Sequence, residues 1–187
     1  ATTIIDNVEE FGGRQVQIKR PQSANTARNQ GMELSVFQRL GFLPAPFNGL
    51  FVNANYTYTD SDATYPNRED DDLPTRGASE HLAFASLGYE WRGLSAEVQY
   101  RRRSPYIEGL AFVDAQGAND FAEDDIFGET ETWNANLSYQ VLDQVTVFVN
   151  GTNLFNEENA SRQGFARTPE DVYFNERRIA FGVKGSF

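Results

Sequence analysis

Few side chains in this sequence are of a type that makes or breaks covalent bonds. There is one histidine, His81, and no cysteine. A zinc site or a Ser-His-Asp triad would rest on His81 alone, and thiolate chemistry is absent. The only basic run, Arg101-Arg102-Arg103, could bind carboxylate or phosphate through planar guanidinium groups. The acidic run Glu69-Asp70-Asp71-Asp72 offers hard oxygen ligands of the kind calcium takes. It lacks the spaced ligands and the glycine of an EF-hand loop. Asp124-Asp125 reads the same way, as solvated loop. Either cluster holds carboxylate pairs, but glycoside hydrolysis needs them rigidly placed, and acidic loops place nothing. Gly151-Thr152-Asn153 lacks the lysine and following helix of a phosphate loop, so it reads as a strand end. No metal, no cofactor and no enzymatic activity are expected.

Charge narrows the partners. The chain has 187 residues and a formal charge of −11. Such a protein repels phosphate backbones, so no nucleic acid partner is expected. No apolar run approaches the roughly 20 residues of a membrane-spanning helix. The first ten residues have neither the basic start nor the apolar core of a leader, which suggests a mature chain or an internal fragment.

The elements that must position these side chains have a period of two. Trp133, Ala135, Leu137, Tyr139 and Val141 alternate with Asn134, Asn136, Ser138 and Gln140. A strand separates such sets onto two faces and a helix mixes them. Val145, Val147 and Val149 repeat the pattern, as do Ile179, Phe181 and Val183. So do Met32, Leu34 and Val36, then Val52, Ala54 and Tyr56, then Ala96, Val98 and Tyr100. In 81–91 the alternation is noisy: Ala83, Ala85, Leu87, Tyr89 and Trp91 are expected on the apolar face, but Leu82 and Phe84 blur it. The pattern predicts seven strands, at 31–40, 49–59, 81–91, 94–104, 131–141, 144–154 and 177–187. Each is near the roughly 9–11 residues that cross a bilayer as a tilted barrel strand.

Connection lengths alternate. Gly41–Gly49, Arg92-Gly93 and Leu142-Asp143 are short, whereas the stretches near 61–79, 108–129 and 156–175 are long and acidic. Transmembrane barrels have short periplasmic turns and long extracellular loops. Tyr56, Tyr58, Tyr89, Trp91, Tyr100, Trp133, Tyr139 and Phe187 fall near strand ends, where interfacial aromatic girdles lie. Residues 1–30 read as an extracellular loop and entry segment, with only a weak alternation at 14–19 that Arg20-Pro21 should break. The fold class expected is therefore all-β, an antiparallel transmembrane β-barrel. Seven strands make an odd, open sheet, which in lipid needs further strands at its edges.

Several stretches carry a family resemblance. Leu50-Phe-Val-Asn-Ala-Asn-Tyr-Thr-Tyr-Thr-Asp60, Tyr100-Arg-Arg-Arg-Ser-Pro-Tyr106, Gly151-Thr-Asn-Leu-Phe-Asn156 and the closing Arg177-Arg178…Phe181-Gly-Val…Phe187 resemble segments of TonB-dependent receptors, in that family's order. The resemblance implies the C-terminal seven or so strands of a barrel of about 22 strands. It also implies a plug domain, energy supplied by the TonB complex through that plug, and a Gram-negative outer membrane with lipopolysaccharide. Phe181, Val183 and Phe187 resemble the signal read by the barrel-assembly machinery, although Gly185 stands where that signal usually has a hydrophobic residue. The implied function is import of a scarce nutrient: a siderophore, another metal complex or an oligosaccharide.

On this reading Glu97, Gln99, Arg101, Arg103, Asn134 and Asn136 are the lumen residues expected to face the ligand or the plug. Arg102 is expected to face outward near lipopolysaccharide phosphates. Two alternatives stay open. One is a complete eight-stranded barrel with a structural or adhesive role, in which residues 14–20 pair with 177–187. The other is a soluble lectin-like β-sandwich, whose apolar faces would pack on each other.

Overall fold

The computed structural model of the chain describes residues 2–23, 26–65, 68–110, 124–163, 169 and 171–185. It contains no α-helix among these residues, and no helix is long and apolar enough to cross a membrane. In chain order the strands are β1 (Thr2–Phe11), β2 (Arg14–Ser23), β3 (Thr26–Arg39), β4 (Leu50–Tyr65), β5 (Arg68–Leu73), β6 (His81–Trp91), β7 (Leu94–Arg103), β8 (Tyr106–Gly109), β9 (Asp125–Phe127), β10 (Thr130–Leu142), β11 (Val145–Thr152), β12 (Glu158–Gln163), β13 (Asp171–Phe174) and β14 (Arg178–Gly185). The seven expected strands correspond to β3, β4, β6, β7, β10, β11 and β14. They lie side by side in one antiparallel sheet, ordered β14-β11-β10-β7-β6-β4-β3, with β5 paired to β4.

The register joins like to like. Val36 pairs with Ala54, Ala54 with Ala85, Ala85 with Tyr100, and Tyr100 with Trp133. Leu137 pairs with Val149 and Val149 with Phe181. Directly paired residues share a face, so these rows form one apolar surface across the whole sheet. Ala83, Leu87 and Tyr89 belong to it, which resolves the noisy strand. Leu82 and Phe84 lie on the polar face, opposite Arg103 and Arg101. Rings on that face cover glycines. A Cβ on Gly88 would run into the Phe51 ring, and one on Gly182 would sit 2.6 Å from the Phe148 ring. Each aromatic thus fills the space its cross-strand glycine leaves.

Among the described residues no second layer packs on the apolar face. Met32, Leu34, Val36, Leu87, Val98, Leu137, Val147, Val149, Ile179, Phe181 and Val183 are all exposed. A large apolar side chain gains roughly 1.5–3 kcal/mol on leaving water. These residues together forgo on the order of 20 kcal/mol in water, more than the roughly 5–15 kcal/mol net stability of a folded domain. The sheet is a single layer, which rules out the β-sandwich. The eight-stranded barrel fails as well: residues 14–20 lie in β2, which pairs with β1 and not with β14. Pro21 does not end β2, because it pairs with Ile4 in a two-stranded ribbon, where outward-facing backbone positions need no N–H donor.

Turns at one end of the sheet are tight. Arg92 and Gly93 both have positive φ, 47° and 82°, the pairing of signs a two-residue hairpin turn requires. The hairpin expected at Leu142-Asp143 turns instead at Asp143-Gln144, because a register shift between Gln140 and Leu142 extends β10. At the other end, strands outrun the alternation. β3 starts at Thr26 and β4 continues to Tyr65. Here Gln30 donates to Asp60 at 2.8 Å and Thr26 to Thr64 at 3.1 Å. In this extension the apolar face of the wall gives way to polar residues, and the buried residues Ala63 and Tyr65 lie instead on the opposite face. The 16 residues of β4 rise roughly 53 Å along the strand, well beyond an apolar band about 25 Å tall.

Val149 lies between the aromatic levels of Trp133 and Tyr139, and Asn150 is its polar-face neighbour. In the full-length protein in lipid, Val149→Arg is expected to lower urea-unfolding stability by about 2–4 kcal/mol, and Asn150→Arg by well under half of that. Equal losses would refute the assignment of faces.

Candidate functional site

The six polar candidates share one face of β7 and β10. Glu97 pairs with Asn136 and Gln99 with Asn134, while Arg101 and Arg103 oppose Thr132 and Thr130. Their commitments differ. Gln99 Nε2 donates to Glu97 at 3.0 Å. Arg103 donates to Ser79 Oγ at 2.7 Å and to the Gly77 carbonyl at 2.9 Å, and its guanidinium lies 3.8 Å from the Tyr106 ring centre. Asn134 Oδ1 accepts the Asn153 backbone N–H at 3.0 Å. Arg103 and Asn134 are therefore anchors. Arg101 stacks on Phe84 at 5.6 Å beside a depression of about 310 Å³ that Asn55, Thr130 and Thr132 also line. Arg101, Glu97 and Asn136 face outward from the sheet toward whatever fills the space beside it.

Arg102 lies on the apolar face, as its alternation requires, and it is paired. It donates to both Glu129 oxygens at 2.9 Å and approaches Glu131 at 3.6 Å, while Tyr100 donates to Glu131 at 2.9 Å. The hydrogen bonds from Arg102 hold the Glu129 carboxyl below its ordinary range, so that carboxylate stays charged into mild acid. Two carboxylates thus answer the one guanidinium.

The long connections are not simple solvated loops. β8 and β9 come from one of them, β12 and β13 from another, and together they make a second, four-stranded sheet ordered β13-β12-β9-β8. Its ladder crosses between loops where Phe127 pairs with Ser161. The chain's buried apolar cluster among the described residues, Ala63, Tyr65, Ile107 and Leu110, sits here. Asp124, expected in solvent, is buried and accepts a bidentate pair from buried Arg68 at 2.6 and 3.0 Å. This bond locks the loop after β4 to the loop after β7. Tyr106, Phe127 and Tyr173 stack in sequence, with centroids 5.2 and 5.9 Å apart. Among the described residues no cluster of acidic or histidine side chains could hold a metal ion.

A clasp closes the third loop at its base. Asn153 and Asn156 both adopt positive φ, 49° and 57°, which asparagine tolerates better than most residues. Asn153 is buried. Its Oδ1 accepts the Glu157 N–H at 2.9 Å, and its Nδ2 donates to the carbonyls of Glu157 and Asn175. Asn156 Oδ1 accepts the Arg177 N–H at 3.0 Å. Leu154 fills the space over Gly151, and Phe155 meets Trp133 edge-on at 6.0 Å. The segment read as a plain strand end is thus the joint between wall and loop. Its two asparagines three residues apart were the available signal. Arg68 and Asp124, 56 positions apart, gave none. Phe181 and Val183 lie on the apolar face of β14, and Phe187 lies outside the described residues.

A single-layer antiparallel sheet, apolar on one face and polar on the other, with tight turns at one end and long structured loops at the other, defines a section of β-barrel wall. A family model described as TonB dependent receptor-like, beta-barrel matches residues 3–154. The chain belongs to that family. Its fold matches the ferric yersiniabactin uptake receptor FyuA from Yersinia pestis, with 18% identity, 90% of this chain and 25% of that one covered, and a TM-score of 0.62. It also matches the ferric citrate transporter FecA in its unliganded form (14% identity, 85% and 24% covered, TM-score 0.62). A third is the FrpB iron transporter from Neisseria meningitidis, F3-3 variant (18%, 90% and 25%, 0.57). The chain spans about a quarter of the length of these structures. No curated protein matches it.

Two substitutions probe the loop body in the full-length protein. Asp124→Ala removes the carboxylate that meets both Arg68 nitrogens, and should weaken the loop body by about 3–5 kcal/mol. Limited proteolysis within 61–79 and 104–129 should then accelerate, whereas unchanged resistance would deny the ion pair that role. Asn153→Gly keeps the backbone free to adopt positive φ but removes the side-chain bonds. It should cost about 2–3 kcal/mol and speed amide exchange over 157–176, leaving β10 and β11 unchanged.

Proposed function

We propose that this chain is part of the wall of a TonB-dependent outer-membrane receptor that imports a scarce nutrient into the periplasm of a Gram-negative bacterium, and that it acts as a receptor rather than an enzyme. The observation that carries the reading is the family match over residues 3–154, on a sheet whose apolar rows run unbroken from β3 to β14. The apolar face meets lipid, the polar face the lumen, and the long-loop end the outside. A barrel in lipid leaves no strand edge open. In this reading the edges of β3 and β14 are therefore continued by further strands, inside which a plug domain sits and receives energy from TonB. Residues 31–187 belong to the wall and its loops, with the segment before them entering from the outer side. Phe181, Val183 and Phe187 serve the barrel-assembly machinery.

Arg101, Glu97 and Asn136 are the lumen groups that face the plug or the ligand, with Gln99 positioning Glu97. Arg103 and Asn134 hold the loops above them. Three solved structures with this fold are named for iron or its chelates, so a ferric chelate is the first ligand to test, before other metal complexes and oligosaccharides. Cells lacking the full-length receptor should lose TonB-dependent uptake of one such radiolabelled ligand. Restoring the receptor with Arg101→Ala should lower uptake or its apparent affinity several-fold, while surface amounts stay unchanged. Uptake indifferent to the receptor across all three ligand classes would refute the reading.

A further inference from the structure

Charge is unevenly matched on the polar face of the wall. Of the three arginines on that face of β3 to β10, Arg39 pairs with Glu90 at 3.0 Å, and Arg103 donates to Ser79 and to the Gly77 carbonyl. Arg101 stacks on Phe84 and has neither a hydrogen bond nor an ion pair among the described residues. The chain carries a formal charge of −11, yet no carboxylate of the wall is set against this guanidinium. The carboxylates on the same face are Glu33, Glu90 and Glu97, and Glu90 already serves Arg39. Glu97 lies four residues along β7, about 13 Å away, and Glu33 lies three strands across, about 14 Å away. The nearer charge is a like one, Arg103, two residues along the strand. Both arginines line the depression of about 310 Å³ at this point, with Thr132 and Thr130 opposite them in register. Two guanidinium groups without a carboxylate between them leave a positive field in that depression.

We propose that this depression is a seat for an oxyanion carried by the transported ligand, a carboxylate or phosphate group held by the Arg101 fork with the Thr130 and Thr132 hydroxyls beside it. The inference rests on the receptor reading and narrows it: the receptor selects nutrients with a free anionic group over neutral chelates and neutral oligosaccharides. A planar guanidinium takes both oxygens of such a group at once. Arg103 adds its charge although its donors are committed to the loops. The seat sits one rung below the loop bases, at the end of the wall that a ligand from outside meets first. The ligand is therefore the assigned occupant, and a carboxylate of the plug is its rival.

The test is protection of arginine from phenylglyoxal in the full-length receptor, in outer-membrane fragments, read by mass spectrometry at Arg101 and at Arg92 in the opposite turn. The probes are citrate and inorganic phosphate. Chloride at equal ionic strength and a neutral trihydroxamate chelate of iron are the controls. Citrate or phosphate should slow modification of Arg101 several-fold more than either control and leave Arg92 unaffected. The anion that acts at the lower concentration names the class of group. Thr132→Val should weaken this protection several-fold while Arg101 still reacts freely without anion. Modification of Arg101 that neither anion slows beyond chloride overturns the seat. An Arg101 that does not react in the full-length receptor also overturns it, because the protein's own chain then fills the depression. TonB-dependent uptake in the same cells tests the receptor reading separately. Uptake that persists without protection sinks the seat alone, and protection without any uptake sinks the receptor reading and the claim about transport with it.

Discussion

Backbone N–H and C=O groups that meet hydrocarbon must find partners in the next strand, and that demand fixes everything else in this wall. Each strand is pinned between two neighbours, and the side-chain period is two, so a slip of one residue would turn a whole strand's apolar set toward the polar side. The observed register avoids that at every junction. Val36, Ala54, Ala85, Tyr100 and Trp133 sit in one row although they come from five strands. The glycines opposite Phe51 and Phe148 show the same constraint on the other face, where a ring and an absent side chain share one cell of the ladder.

Beyond the wall the physics changes. Loop strands are surrounded by water, so they are held by ordinary burial and by directional bonds. The small apolar cluster of Tyr65, Ile107, Leu110 and Ala63, the Arg68–Asp124 fork and the asparagine clasp together make the loops one body. A buried ion pair is costly to desolvate and strongly destabilising to break on one side; here it links two loops, so its loss would be felt in both. Any movement of one of these loops therefore carries its neighbours with it.

The polar face divides in two for the same reason. Arg103 and Asn134 reach upward and are absorbed into the loop body through Gly77, Ser79, Tyr106 and Asn153. Arg101, Glu97 and Asn136 make no hydrogen bond to a loop among the described residues; Glu97 accepts from Gln99 on its own strand. Residue type could not separate these groups, because an arginine two positions along the same strand has the same face and the same chemistry. Only the height of each side chain relative to the loop bases decides which is bonded into the loop body.

The sequence alone determined the strands, their faces, the alternation of turn and loop ends, and the family. These depend on neighbours two residues apart and on turn residues such as Arg92-Gly93, all local quantities. The tertiary structure alone decided that β1 and β2 form a ribbon, that β3 and β4 extend past the apolar period, that the loops build a second sheet, and that Asp124 is buried against Arg68. The β1-β2 ribbon is a local hairpin with only a weak alternation, whereas the extension, the loop sheet and the Arg68–Asp124 bond depend on positions tens of residues apart, past the reach of the wall's apolar period. Alternation records the contrast between lipid and lumen, and it falls silent where that contrast ends.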